Sequence, residues 1–157
     1  MNSQIQYRRM KHGDERKASD LISGVFLKFV APGFSQEGID VFMKYIKPKA
    51  LEIQLNENNF AFIASIGDDI IGVIEVRNYN HIALFFVDAR FQRKGIGKEL
   101  LRISLEVCVS SELQPSQITV NASPNSKKAY EKMGFEVTGV ERCVNGIRFV
   151  PMVMHPL

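Results

Sequence analysis

Apolar positions along this chain change period several times, and each change marks an element. Ile5 and Tyr7 alternate with polar neighbours, which suits a first edge strand. After Gly13 and Asp14, an N-cap candidate, the set Ala18, Leu21, Ile22, Val25, Phe26, Phe29 repeats at helical spacing until Pro32 and Gly33. A second helix carries Ile39, Phe42, Met43 and Ile46 and is expected to stop before Pro48. The runs 60–66 (FAFIASI) and 70–76 (IIGVIEV) then read as strands joined by a turn at Gly67, Asp68 and Asp69. Another strand, 81–88 (HIALFFVD), follows the turn Asn78, Tyr79, Asn80, giving an antiparallel meander. Residues 96–109 form an amphipathic helix entered through Gly95 and Gly97. The stretch 117–122 (QITVNA) is the next strand. Ser123 as N-cap and Pro124 at N1 open a short helix that ends at Gly134. A last hairpin, 135–144 with 147–154, turns at Asn145 and Gly146.

This order predicts an α/β fold with a mixed sheet, in which strands 81–88 and 117–122 form a right-handed parallel crossover around one helix. Pro151 falls in a strand expected to be internal, so a bulge is expected there. With 157 residues and no repeat, low-complexity tract or linker, one domain covering 1–157 is expected. A chain of this length can bury roughly 70% of its unfolded surface.

Composition excludes several classes. Apolar residues make up 45% and charged residues 24%, which rules out collagen-like, disordered and disulfide-scaffold chains. The net charge of +3 is low for a nucleic-acid binder, and neither interleaved aromatics nor a nucleic-acid motif accompanies it. Cys108 and Cys143 have no partner at metal-ligand spacing, so no metal site is expected and both thiols read as structural. No apolar run suits a signal peptide or a membrane span. A cytoplasmic location without membrane or nucleic-acid partners is the expectation; a homodimer is compatible with it.

Chemistry concentrates where a strand meets the helix that begins near residue 96. The sequence there is Gln92, Arg93, Lys94, Gly95, Ile96, Gly97, Lys98. Unpaired N–H groups and the positive dipole end at a helix start favour an anion, and glycine lets the backbone approach it. Arg90, Arg93, Lys94, Lys98 and Arg102 cluster around the loop with only Glu99 opposing in sequence, which suits a ligand with several phosphates. A P-loop would need glycine at Gln92 and Ser or Thr at Glu99; a dinucleotide fingerprint would need a small residue at Leu100. Neither fits.

The block Gln92-x-x-Gly95-x-Gly97, followed by Lys98, Glu99, Leu100 and Leu101, resembles the acetyl-CoA motif of the GCN5-related N-acetyltransferase (GNAT) superfamily. The segment Ala129, Tyr130, Glu131, Lys132, Met133, Gly134, Phe135 resembles a second block of that family, and the order of strands and helices matches across essentially the whole chain. The resemblance implies a GNAT-like, mostly antiparallel central sheet flanked by helices, with a splayed parallel strand pair. It implies acetyl-CoA as co-substrate and transfer of the acetyl group to an amine by direct attack in a ternary complex. A non-catalytic acyl-CoA-binding module or sensor is the alternative.

On that resemblance, Phe86, Val87 and Asp88 would supply backbone contacts to the pantetheine arm, with one N–H polarising the thioester carbonyl. Ser123 and Asn125 would approach the cofactor, and Tyr130 would serve the departing thiolate. A phenol near pKa 10 and a thiol near 8.5 make full proton transfer uphill by about 2 kcal/mol, so a hydrogen bond matters as much. An alkyl ammonium near pKa 10.4 needs a base or a water relay at neutral pH. His81, six residues before Val87, and Glu75 on the preceding strand are the candidates, and the choice between them and water stays open. The acceptor itself is not legible.

Overall fold

The computed structural model describes residues 4–56 and 58–156. Its sheet is built from β1 (Gln6–Arg9), β2 (Asn59–Ile66), β3 (Asp69–Arg77), β4 (His81–Val87), β5 (Ile118–Ala122), β6 (Glu136–Val137), β7 (Arg142–Val144) and β8 (Ile147–Met154). The spatial order is β1-β2-β3-β4-β5-β8-β6, with β7 also on β8. Every pair is antiparallel except β4 with β5, the crossover expected around a helix.

Helices cover both faces. On one side lie α1 (Glu15–Val25) and α3 (Pro48–Gln54), where Ala18, Ile22, Ile46 and Leu51 pack on Ile63, Val73 and Leu84. Between them in sequence runs α2 (Gln36–Tyr45), capped by Ser35, whose Oγ accepts from Gly38 N. On the other side α4 (Ile96–Ser110) and α5 (Lys127–Lys132) join Ile96, Leu100, Leu101, Cys108, Tyr130 and Phe135 to the undersides of β2–β5 and β8. Gly72 in β3 favours this: a Cβ there would lie 3.0 Å from Leu100 Cδ1 and 3.2 Å from Ile96 Cγ2, so those side chains or the first turns of α4 would have to shift to admit one.

Several expectations need correction. The second helix does stop before Pro48, but a helix the pattern did not indicate, α3, starts there, with Pro48 in its first turn, where its missing N–H costs nothing. The helix expected to run until Pro32 and Gly33 ends there, but not as one α-helix: after Val25 it continues as a π-turn (Phe26–Val30) and a 3-10 turn (Ala31–Gly33). Asp14 begins α1 without capping it, because its carboxylate takes Arg8 at 2.8 and 3.0 Å and Lys11 N at 2.9 Å. Ser123 likewise makes no cap, since its hydroxyl meets Ser126 Oγ at 2.5 Å, and a 3-10 turn (Pro124–Ser126) precedes α5. The strand expected over 135–144 is split into β6 and β7.

Pro151 explains that split. The β5–β8 register runs unbroken through Asn121↔Pro151, so the expected bulge is absent on that side. Thr138 N donates to Pro151 O at 2.9 Å, which places the proline's donorless nitrogen on the β6–β7 side, since N and O of one strand residue point the same way. The ladder there is interrupted between Val137 and Arg142.

Candidate active site

Two residue pairs, His81↔Thr119 and Ile82↔Val120, hold β4 to β5; beyond them the strands part. Between Glu75↔Leu84 and Val76↔Ile82 the β3–β4 register slips by one, making Ala83 the extra residue where the parting begins. Asp88 N donates to Ile71 O at 2.8 Å, so Asp88 and, by alternation, Phe86 turn their backbone groups to β3. Phe85 and Val87 therefore face the opening. The Val87 carbonyl receives Gln92 Nε2 at 3.0 Å, which ties the loop to the strand end. Of the three residues expected to offer backbone contacts, Val87 is turned to the opening, and Phe86 and Asp88 away from it.

A cavity of about 490 Å³ occupies the opening and extends under the π-turn, α2 and the β7–β8 hairpin. Its walls include Tyr130, Ser123 and Ser126 on one side and Phe26, Phe34, Phe42, Tyr45, Phe149 and Arg148 on the other, with Arg77, His81, Phe85 and Phe86 between them. Phe26 stacks on Phe42 with centroids 4.0 Å apart, and Phe42 meets Phe86 at 5.9 Å.

At the loop end, Arg93 and Gly95 adopt left-handed φ values of 64° and 81°, and Glu99 N donates to Gly95 O at 3.0 Å to start α4. A Cβ at Gly97 would make only ordinary contacts, 3.6 Å to Phe85 and 3.8 Å to Val87. The chain's own packing thus does not demand glycine at 97, while a ligand needing bare backbone would. Ile96 is buried in the core and has only its N–H to offer. The cation cluster is smaller than its sequence suggests: Arg90 pairs with Asp88 at 2.9 Å, and Arg102 with Glu99 at 2.7 Å and Glu106 at 2.8 Å. Exposed Arg93, Lys94 and Lys98 make no ion pair with a described carboxylate.

Tyr130 lies in the cavity wall between Phe85 and Phe135, at centroid distances of 6.0 and 5.4 Å. Burial pushes its phenol well above the ordinary value. Ser123 lines the cavity, whereas Asn125 is turned away: its Nδ2 donates to the Phe29 carbonyl at the end of the π-turn, and Ser123 Oγ donates to its Oδ1 at 2.9 Å.

His81, Glu75 and Arg77 share one face of the sheet, since Glu75 and Arg77 are two apart on β3 and Arg77 pairs with His81. His81 lines the cavity, with Nδ1 2.7 Å from Thr119 Oγ1. When Nδ1 carries the proton, Thr119 accepts it and passes its own to the Asn80 carbonyl at 3.4 Å, leaving Nε2 as an acceptor. Burial, then Arg77, lowers the His81 pKa below its ordinary 6.5. Glu75, 2% exposed, is not in the wall; Tyr45 covers it, its hydroxyl donating to Glu75 Oε2 at 3.3 Å and receiving Arg77. Burial pushes Glu75 up to about 7, against the lowering effects of Tyr45 and Arg77, and pushes the Tyr45 phenol up to about 12. Arg77 and Thr119 were not singled out from the sequence. The register of the 78–80 turn, which sets Arg77 opposite His81, was the available signal for Arg77; Thr119 depended on long-range parallel pairing.

Away from the cavity, exposed His12 and Glu52 and buried Glu15 bring potential ligand atoms within 4.8 Å of one another. Among the described residues, no helix is long and apolar enough to cross a membrane.

A mixed sheet whose single parallel pair opens beside a glycine-entered helix defines a recognisable class. The family model of the acetyltransferase (GNAT) domain matches residues 30–156, and the chain belongs to that family. Solved structures agree in fold. A GCN5-related N-acetyltransferase from Rhodopseudomonas palustris superposes with TM-score 0.82 at 16% identity, covering 99% of this chain and 98% of that one. The PaiA N-acetyltransferase of Thermoplasma acidophilum, solved with coenzyme A, gives 0.76 at 18% identity over 98% and 99%. An aminoglycoside 6'-N-acetyltransferase complexed with coenzyme A gives 0.72 at 14% identity over 96% of each chain. No curated protein matches by sequence.

Proposed function

We propose that the chain, as one unit over 1–157, transfers an acetyl group from acetyl-CoA to a primary amine by direct attack in a ternary complex. The observation that carries this reading is the opening between β4 and β5, which joins a bare helix start to a cavity holding Tyr130 and His81. The N–H groups of 95–98 and the side chains of Arg93, Lys94 and Lys98 would hold the phosphates. The Val87 N–H and the Phe85 backbone groups would pair with the pantetheine arm, the Val87 carbonyl being held by Gln92. Acetyl-CoA supplies an activated thioester. Ser123 and Ser126 are engaged with each other, the Cys108 thiol is buried and pushed up to about 11, and Cys143 lies outside the cavity, so none of these is poised as a nucleophile.

Proton handling falls to two groups. His81 reaches the cavity directly and would take the amine proton at Nε2, while Glu75 could act only through Tyr45 or water. Tyr130, a weaker acid than free phenol, would stabilise the thiolate by donating a hydrogen bond rather than by giving up its proton. The test is CoA release with a panel of amines alongside a thermal shift with acetyl-CoA. Binding together with amine-dependent CoA release is expected. Binding without turnover on any amine would identify a non-catalytic acyl-CoA-binding module.

A further inference from the structure

The acceptor end of the cavity has an unusual charge pattern for a protein that must receive an amine. Its walls contain eight aromatic side chains and no carboxylate. The three titratable nitrogen side chains in the wall are Arg77, His81 and Arg148. Arg148 is already committed to Glu141 at 2.9 Å. Arg77 is different: half-buried, it donates to the Tyr45 hydroxyl, lies 5.4 Å from that ring's centroid, and makes no ion pair with any described carboxylate. Its neighbour Glu75 is sealed behind Tyr45.

A guanidinium presents five donors in a planar fork, and here only part of that capacity is used within the protein. Polyamines and other polycations need carboxylates to replace the water they lose, and this wall offers none. An apolar or aromatic body, by contrast, finds matching surface on Phe26, Phe34, Phe42 and Phe149.

We infer that the acceptor is a small amino carboxylate with an aromatic or branched apolar side chain, its carboxylate held by Arg77 and its body by the phenylalanine wall. This rests on the acetyl-transfer reading above. The amine nitrogen forms the new C–N bond as the thioester C–S bond breaks; nitrogen loses one proton, and the departing thiolate takes one to become free CoA. Because no anion in the wall stabilises an ammonium and Arg77 opposes it, the amine is bound in its reactive neutral form.

The experiment uses the whole chain with acetyl-CoA and three amines: L-phenylalanine, 2-phenylethylamine, which lacks the carboxylate, and spermidine. L-Phenylalanine should be acetylated with kcat/KM about tenfold or more above 2-phenylethylamine, the worth of one charge-assisted hydrogen bond, and further above spermidine. Arg77→Met should bring the first ratio close to one. Should Arg77→Met fail to fold, the wild-type ratios decide alone. Equal use of L-phenylalanine and 2-phenylethylamine, a preference for spermidine, or a ratio that survives Arg77→Met overturns the inference. Acetyl-CoA binding without acetylation of L-phenylalanine overturns it while leaving acetyl transfer standing. No thermal shift with acetyl-CoA removes the proposed function, and the inference with it.

Discussion

The two ends of the cavity are built by opposite strategies. At the loop end, the proposed site is made by consecutive residues: strand, turn and helix start follow one another from Val87 to Lys98, and what they offer a ligand is chiefly backbone. At the aromatic end, Phe26, Phe34, Phe42, Phe86 and Phe149 gather from a span of more than a hundred residues. Backbone recognition demands particular conformations and glycines, so it leaves a motif. Side-chain recognition demands only shape and polarity, so a family can change acceptor without disturbing its donor site.

Tyr130→Phe should have the largest effect at the junction of the two ends. Turnover is expected to fall about 100-fold while acetyl-CoA affinity holds within about twofold, because the hydroxyl's partner develops only in the transition state. Single-turnover rates beside equilibrium binding measure it; unchanged chemistry would make Tyr130 a packing residue between Phe85 and Phe135.

Gly38→Ala should damage the aromatic end alone. A Cβ at 38 would strike the Gly146 carbonyl and sit 3.0 Å from Ile147 N, so the β7–β8 hairpin tip must lift off α2. The expected result is about a tenfold rise in acceptor KM, with acetyl-CoA affinity unchanged. Equal loss at both ends would show that they are one mechanical unit.

The low-pH limb of the rate profile separates His81 from Glu75. With His81 as base its midpoint lies below 6.5, since burial and Arg77 lower that group, and His81→Ala removes it. With Glu75 as base it lies at about 7 and disappears in Glu75→Gln. A limb untouched by either variant belongs to the amine.

A smaller effect concerns stability. Glu75 has a folded pKa of about 7, above its unfolded value, so the stability linked to its proton is fully present below about 4.3 and is lost as pH rises through 7. Glu75→Gln should therefore gain on wild type by about 2 to 3 kcal/mol between pH 5 and pH 8 in urea unfolding. No change in the gap would mean that Glu75 stays ionised in the folded chain.

Legibility in the sequence follows the same division. The meander, the parallel crossover and the two motif blocks rest on local period and glycine placement, and they were readable. Pro48 was rightly taken as a stop for the helix before it, but α3 went unread because proline both ends and begins helices, and the neighbouring Leu51, which packs in the core, was the sign of a new start. The cation cluster was overcounted because Asp88 and Glu106 reach Arg90 and Arg102 only once the chain folds. Tyr45 stands thirty residues from the Glu75 it covers, and no spacing rule connects α2 to β3.

The central claim is that bare backbone at the start of α4 holds the phosphates of CoA. Because a Cβ at Gly97 would make only ordinary contacts of 3.6 to 3.8 Å within the protein, Gly97→Ala should fold like wild type. Calorimetric titration with CoA then measures the ligand alone. The account predicts at least about a tenfold loss of affinity for Gly97→Ala, a larger loss for Gly97→Val, and a smaller loss for Lys94→Ala. Wild-type affinity in both Gly97 variants would contradict it.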